Sequence, residues 1–195
     1  MTPKSLLTFA IITAGLCLSA TAGAQDSDAA LKALDDALPG DLLHNPLDLE
    51  WEKRGNDLRT KIVDAEGPPS GRAVRVEVKK RQTRPWDSVI YTEIEDGVKK
   101  GETVQAYFWV RTDKAAAGRD TADIILFVGR NEEPYDYIIS EDITPGEDWK
   151  LSSLSGVAGA DFPSGELKVE YQLGRSKQTI EIGAVYVSTL GQSGM

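Results

Sequence analysis

The sequence predicts an all-β sandwich or barrel behind a short N-terminal helix, and three observations carry that prediction. From about Leu42 onward the chain breaks into short runs separated by Gly, Pro, Asp and Asn, which is the texture of many short strands joined by turns. Several runs alternate apolar and polar residues, the period that sends successive side chains to opposite faces of a sheet. Helical spacing occupies Ser27 to Leu38, where Ala30, Leu31, Leu34 and Leu38 share a face before Pro39-Gly40 stops the pattern.

Taken in order, residues 1–24 read as a secretory signal. Lys4 supplies the positive start, Leu6 to Leu18 the apolar run, and Ala22-Gly23-Ala24 a small-residue cleavage site, which implies periplasmic or fully secreted localisation after cleavage near Ala24. The apolar run is too short to span a bilayer, so no membrane span is expected in the mature chain. Cys17 follows Leu16 rather than the small residue a lipid-anchor motif prefers. Residues 25–41 form a lead segment with the short helix, and residues 42–195 form one β domain. Its clearest strands are Ala73 to Val78, Ser88 to Ile94, Val104 to Arg111, Asp123 to Val128, Tyr135 to Ile139, Glu166 to Gly174 and Thr179 to Ser188. In the sixth, Leu167, Val169, Tyr171 and Leu173 point to the core while Glu166, Lys168, Glu170 and Gln172 point to solvent. Turns fall at Gly67 to Gly71, Asp96-Gly97, Lys100-Gly101, Pro145-Gly146 and Pro163 to Gly165.

Composition excludes several functions. The chain carries a formal net charge of −9, against the clustered Lys and Arg that phosphate backbones need, so nucleic acid is not an expected partner. The one basic cluster, Lys79-Lys80-Arg81 with Arg84, reads as a solvated loop or strand end. The single cysteine leaves with the signal, so neither a disulfide nor a thiol nucleophile is expected. His44 is the only histidine and has no serine or cysteine motif to serve, and Gly191 to Met195 (GQSGM) lacks the strand–turn–helix context of a nucleophile elbow. No enzyme is therefore expected. A small glycosidase or lyase would need two carboxylates across a cleft, and Glu93, Glu170 and Glu181 read as solvated strand residues.

The strand VQAYFWVR carries the strongest chemical signal. Val104, Ala106, Phe108 and Val110 make its core face, whereas Gln105, Tyr107, Trp109 and Arg111 share the other. Aromatic rings flanked by amide and guanidinium groups suit a pyranose, whose C–H face stacks on a ring while its hydroxyls need directional partners. The competing reading buries Tyr107 and Trp109 under a loop or the lead helix. Trp86, in TRPWDSVIY, is either a lid on the sandwich end or a platform stiffened by Pro85, with Asp87 capping the turn or accepting from hydroxyls. Trp51 and Trp149 read as core edges. Tyr135 and Tyr137 could line a cleft mouth or simply belong to a strand. Asp48, Glu50 and Asp64 could offer oxygens to calcium, without any EF-hand spacing.

RPWDSVIY, VKKGETVQAYFWVR and RSKQTIEIGAVYVSTLG, in that order, resemble the carbohydrate-binding modules of the family 4, 9 and 22 kind that accompany xylanases and related enzymes. The resemblance spans roughly Leu43 to Gly191. It implies a jelly-roll β-sandwich (galactose-binding-like) that binds oligo- or polysaccharide on its concave face, here as a stand-alone secreted domain without a catalytic partner in the chain. It places the site on Trp86, Asp87, Tyr107, Trp109, Arg111 and Gln172, with Gln178 as a further polar partner. It also implies a structural calcium near the first strand, held in part by Glu50. Where the family often has an aspartate pair this chain reads Gly183-Ala184, a departure that weighs against the metal. The alternative from another class is an envelope protein that uses the same aromatic face for a protein partner.

Overall fold

The computed structural model describes residues 40–192, which form two antiparallel sheets packed face to face. The lead helix and the signal lie outside the described residues. The strands are β1 (Asp41–Leu42), β2 (Glu52–Arg54), β3 (Leu58–Asp64), β4 (Arg72–Val78), β5 (Val89–Ile94), β6 (Glu102–Lys114), β7 (Ile124–Arg130), β8 (Tyr137–Ile143), β9 (Lys150–Val157), β10 (Leu167–Gln172) and β11 (Gln178–Gln192). One sheet runs β3-β4-β11-β6-β9 with β1 paired to the end of β11, and the other runs β2-β5-β10-β7-β8. We call these sheets A and B. A single 3₁₀ turn, Pro85–Asp87, precedes β5.

The core lies between the sheets and follows the alternation of the strands. Val104, Ala106, Phe108 and Val110 of β6 face Leu167, Val169 and Tyr171 of β10, with Ile180 and Ile182 of β11 and Leu126 and Val128 of β7 filling the same layer. At its centre Tyr171 meets Phe108 edge-on at 6.4 Å, and Trp51 packs on it at 5.5 Å. Trp51 is thus the core edge that its position suggested.

Three differences from the sequence reading have physical causes. The strands not foreseen are β1, β2, β3 and β9, all pairing along one side only. β2 is EKR and fully exposed, and β9 is the serine-rich KLSSLSGV. Edge strands carry polar residues that discourage further pairing, so their composition conceals the strand. β8 runs later than Tyr135 to Ile139, because Tyr135 closes a turn onto the Glu132 carbonyl at 2.9 Å with φ 57° and cannot begin a strand. In β10, finally, all six residues are buried, so the face read as wet is covered.

Two buried polar groups yield measurable consequences. The Tyr171 hydroxyl lies in the core without a partner, and burial raises its pKa. Removing an unsatisfied buried hydroxyl removes its desolvation cost, so Tyr171→Phe is expected to raise the urea-unfolding free energy by about 1 kcal/mol. His44 is buried beside β11, where desolvation lowers its pKa from 6.5 to about 4 against a hydrogen bond to the Val185 backbone. The unfolded chain therefore binds the extra proton between these values. Stability from this group is complete above pH 6.5 and declines by about 3 kcal/mol as pH falls through 4. Chemical denaturation at stepped pH should show that slope, and His44→Leu should flatten it.

Candidate functional site

The outer face of sheet B carries a groove, and strand register dictates which side chains floor it. Glu52, Tyr91, Glu170, Phe127 and Ser140 stand side by side across β2, β5, β10, β7 and β8. One step along lies the row Arg54, Val89, Gln172, Ile125 and Asp142, and one step the other way Lys168 stands between Glu93 and Gly129. The groove has a volume of about 850 Å³. The turn holding Arg84, Trp86 and Asp87 forms one wall, and Tyr135 and Tyr137 form another. Trp86, Tyr135 and Tyr137 are 46%, 53% and 61% exposed, so each offers ring surface to a ligand.

The floor is charged yet dry. Lys168 and Glu170 are 4% and 1% exposed and paired, with Nζ 2.5 Å from Oε2. Gln172 Nε2 donates to the other carboxylate oxygen at 3.0 Å, and the Arg54 guanidinium stands 3.7 Å from Oε2. Lys168 also lies 5.3 Å from the Tyr91 ring and 5.8 Å from the Phe127 ring, whose faces attract the ammonium as they shield it. Phe127 has room because residue 129 is glycine: a Cβ there would sit 2.6 Å from the Phe127 ring.

Local interactions set the walls. Arg84 and Asp87 close a reciprocal clamp around Trp86: Asp87 Oδ2 accepts the Arg84 N–H at 3.1 Å, and Oδ1 accepts Nε at 3.1 Å. The Arg84 guanidinium also sits 5.6 Å from the indole. Hydrogen bonding from Arg84 holds the Asp87 carboxyl below its usual range. On the opposite margin the Tyr91 hydroxyl donates to Glu52 Oε2 at 2.6 Å, which raises the phenol pKa.

Of the residues singled out in the sequence, Trp86, Asp87 and Gln172 line this groove. Tyr107, Trp109 and Arg111 do not join them: β6 belongs to sheet A, and its non-core face lies on the far side of the sandwich. There the loop after β3 folds over the strand. Pro68 and Trp109 both crowd the point where a Gly183 side chain would begin, at 2.6 and 3.0 Å, and Gly67 packs against Trp149. Gly183-Ala184 sits in a bulge of β11. Arg111 donates to the buried Glu181 at 2.8 Å, Arg75 binds the same carboxylate at 2.9 Å, and Arg111 lies 5.3 Å from the Trp149 ring. Glu181 and Glu170 are therefore neutralised buried groups, not solvated ones. Gln178 is likewise internal, bridging Ser176, the Leu173 carbonyl and the Asp123 backbone. Glu50 is exposed, Asp48 accepts its N–H at 2.8 Å, and among the described residues no three acids or histidines converge as a metal site needs.

Sequence reasoning missed Arg54, Phe127, Lys168 and Glu170. The strand period revealed which way Lys168 and Glu170 point, but not that aromatic neighbours from adjacent strands cover them.

A family model described as a carbohydrate binding domain matches residues 47–178. Among curated proteins none matches. The chain is similar in structure to the CBM22-1 xylan-binding domain of Paenibacillus barcinonensis Xyn10C, with TM-score 0.54 at 17% identity over 80% of this chain and 99% of that one. It is similar also to the second N-terminal cellulose-binding domain of Cellulomonas fimi β-1,4-glucanase C, with TM-score 0.55 at 17% identity over 80% and 94%. A third structure, an arabinose-bound α-L-arabinofuranosidase, matches with TM-score 0.57 at 12% identity over 80% of this chain, which spans only 27% of that one. At such identities these likenesses establish the fold.

The floor pair sets an expected outcome. Lys168→Met leaves Glu170 buried without its close cation and should cost about 3–5 kcal/mol in urea unfolding. The double variant Lys168→Met/Glu170→Met should recover most of that loss, since a buried pair contributes little over an apolar replacement of similar volume.

Proposed function

Because the chain belongs to the carbohydrate binding domain family that its residues 47–178 match, we propose that it binds oligo- or polysaccharide non-catalytically in the groove on sheet B. The observation that carries this reading is the coincidence of exposed rings and pre-positioned polar groups in one groove. Trp86, Tyr135 and Tyr137 present faces for sugar C–H surfaces, and Arg54, Asp87 and Gln172 present directional partners for hydroxyls. The clamp on Trp86 reduces the ordering cost of binding, since the platform is held before the ligand arrives.

The chemistry of the groove carboxylates supports binding without hydrolysis. A general acid needs a raised pKa, whereas Arg84 holds Asp87 down. Glu170 is enclosed by Lys168, Gln172 and Arg54. The apolar N-terminal run and its small-residue cleavage site support export, which makes glycans outside the cytoplasm the natural ligands. Among the described residues no helix is long and apolar enough to cross a membrane.

Isothermal titration with xylan- and β-glucan-derived oligosaccharides tests the assignment. Trp86→Ala should weaken binding about tenfold or more, the equivalent of ~1.4 kcal/mol, without altering the unfolding midpoint. Trp109→Ala should lower stability and leave affinity unchanged. If no plant or bacterial polysaccharide binds the wild-type chain, the proposal falls.

A further inference from the structure

Beyond the groove, the end of the sandwich holds a second cavity of about 680 Å³ with a different character. Arg81, Arg84, Arg119, Arg175 and Lys177 line it against one carboxylate, Asp123. In a chain of formal charge −9 this is a local reversal of sign. Three separate segments build it. Gly174 lets the loop before β5 pack onto the β10–β11 turn: the Gln82 N–H donates to the Gly174 carbonyl at 2.7 Å, the Gly174 N–H donates to Pro85 at 2.9 Å, and a Cβ on Gly174 would lie 2.5 Å from the Arg84 carbonyl oxygen. That contact sets Arg81 and Arg84 beside Arg175 and Lys177, and the β6–β7 loop adds Arg119.

The cations are only partly neutralised. Asp123 is shared, taking Arg119 on one oxygen and Arg175 on the other, both at 3.0 Å. Arg175 also reaches Asp142 at 2.8 Å, and Arg84 is clamped to Asp87. Arg81 and Lys177 are exposed and, among the described residues, have no carboxylate within ion-pair distance. Screening confines such a cluster to about 8 Å at physiological salt, so the cleft acts on an anion that enters it despite the negative charge of the whole chain.

The cleft adjoins the groove, because Arg84 lines both and Trp86 stands two residues on. We infer that this cleft is an anion subsite for the same ligand: the glycan carries carboxylate substituents, and as its chain leaves the groove past Trp86 those groups settle among Arg81, Arg84 and Lys177. The inference rests on the groove reading for the polysaccharide, and on the cleft alone for its charge.

Titrations of the full chain with glucuronoxylan and with polygalacturonate, each against its carboxyl-reduced neutral counterpart, test it. At least one acidic polymer should bind about threefold to tenfold more tightly than its neutral form, the preference should shrink as salt is raised, and Arg81→Gln/Lys177→Gln should abolish it while sparing neutral-glycan affinity and the unfolding midpoint. Trp86→Ala should weaken both forms. Equal affinity for both members of each pair would overturn the anion subsite and leave the groove standing, whereas no binding to any of the four polymers would overturn both. Dextran sulfate bound as tightly as the acidic glycan, with no effect of Trp86→Ala, would reduce the cleft to a general polyanion patch and overturn it too.

Discussion

The pairing of Lys168 with Glu170 allows β10 to be buried on both faces, and the groove depends on that. β10 is the middle strand of sheet B, bonded along its full length to β5 and β7. Its inward residues Leu167, Val169 and Tyr171 form the heart of the core, so the strand cannot shift to relieve a problem on its other side. An unpaired carboxylate beneath Tyr91 and Phe127 would cost several kcal/mol. With the ammonium against it, and Gln172 and Arg54 completing the shell, the same carboxylate becomes a fixed polar point in an apolar floor. The site is thus rigid for the same reason that the core is: both are faces of one strand.

The outer faces of the two sheets differ in what lies over their aromatic residues: a loop packs onto part of sheet A, and a groove opens on sheet B. On sheet A the loop after β3 brings Pro68 and Gly67 down onto Trp109 and Trp149, and the missing side chain of Gly183 makes space for that contact. Alternating charges from Asp113 through Arg75 and Glu181 to Arg111 then knit the surface together. On sheet B the polar side chains are also bonded to one another, but the aromatic rings around them stay half uncovered. For the glycan proposed to bind there, sugar hydroxyls would compete with bonds that exist before the ligand arrives, so ring contact would contribute more to affinity than hydrogen-bond count.

Backbone geometry contributes as much as side-chain chemistry to the open face. Tyr135 adopts a left-handed conformation that bulky residues rarely occupy and that costs on the order of 1–3 kcal/mol. The turn onto Glu132 holds it there, and its ring stands at the groove margin beside Tyr137. Gly174 has the corresponding role at the other end, where close backbone approach brings the loop carrying Trp86 against the β10–β11 turn. Aromatic wall and basic cleft therefore share one anchoring contact.

What the sequence by itself determined was local: the period-two alternation of β6 and β10, the turns, the all-β class, and the stiff Pro-Trp-Asp presentation of Trp86. These follow from the backbone and nearest neighbours, so a linear reading reaches them. The resemblance between RPWDSVIY and VQAYFWVR and a known family likewise reached the sandwich. Only the tertiary structure decided which aromatic residues share one groove. Tyr107 and Trp109 look equivalent to Trp86 along the chain, yet strand order assigns β6 to sheet A, on the far side of the sandwich from the groove. Lys168 and Glu170 read as solvated because solvation is the default for charged strand residues. Their burial arises from Tyr91 and Phe127, which lie about 40 to 80 residues away in sequence and meet β10 through antiparallel register alone. Sheet membership and cross-strand neighbours are long-range properties, and the position of the groove rests on both.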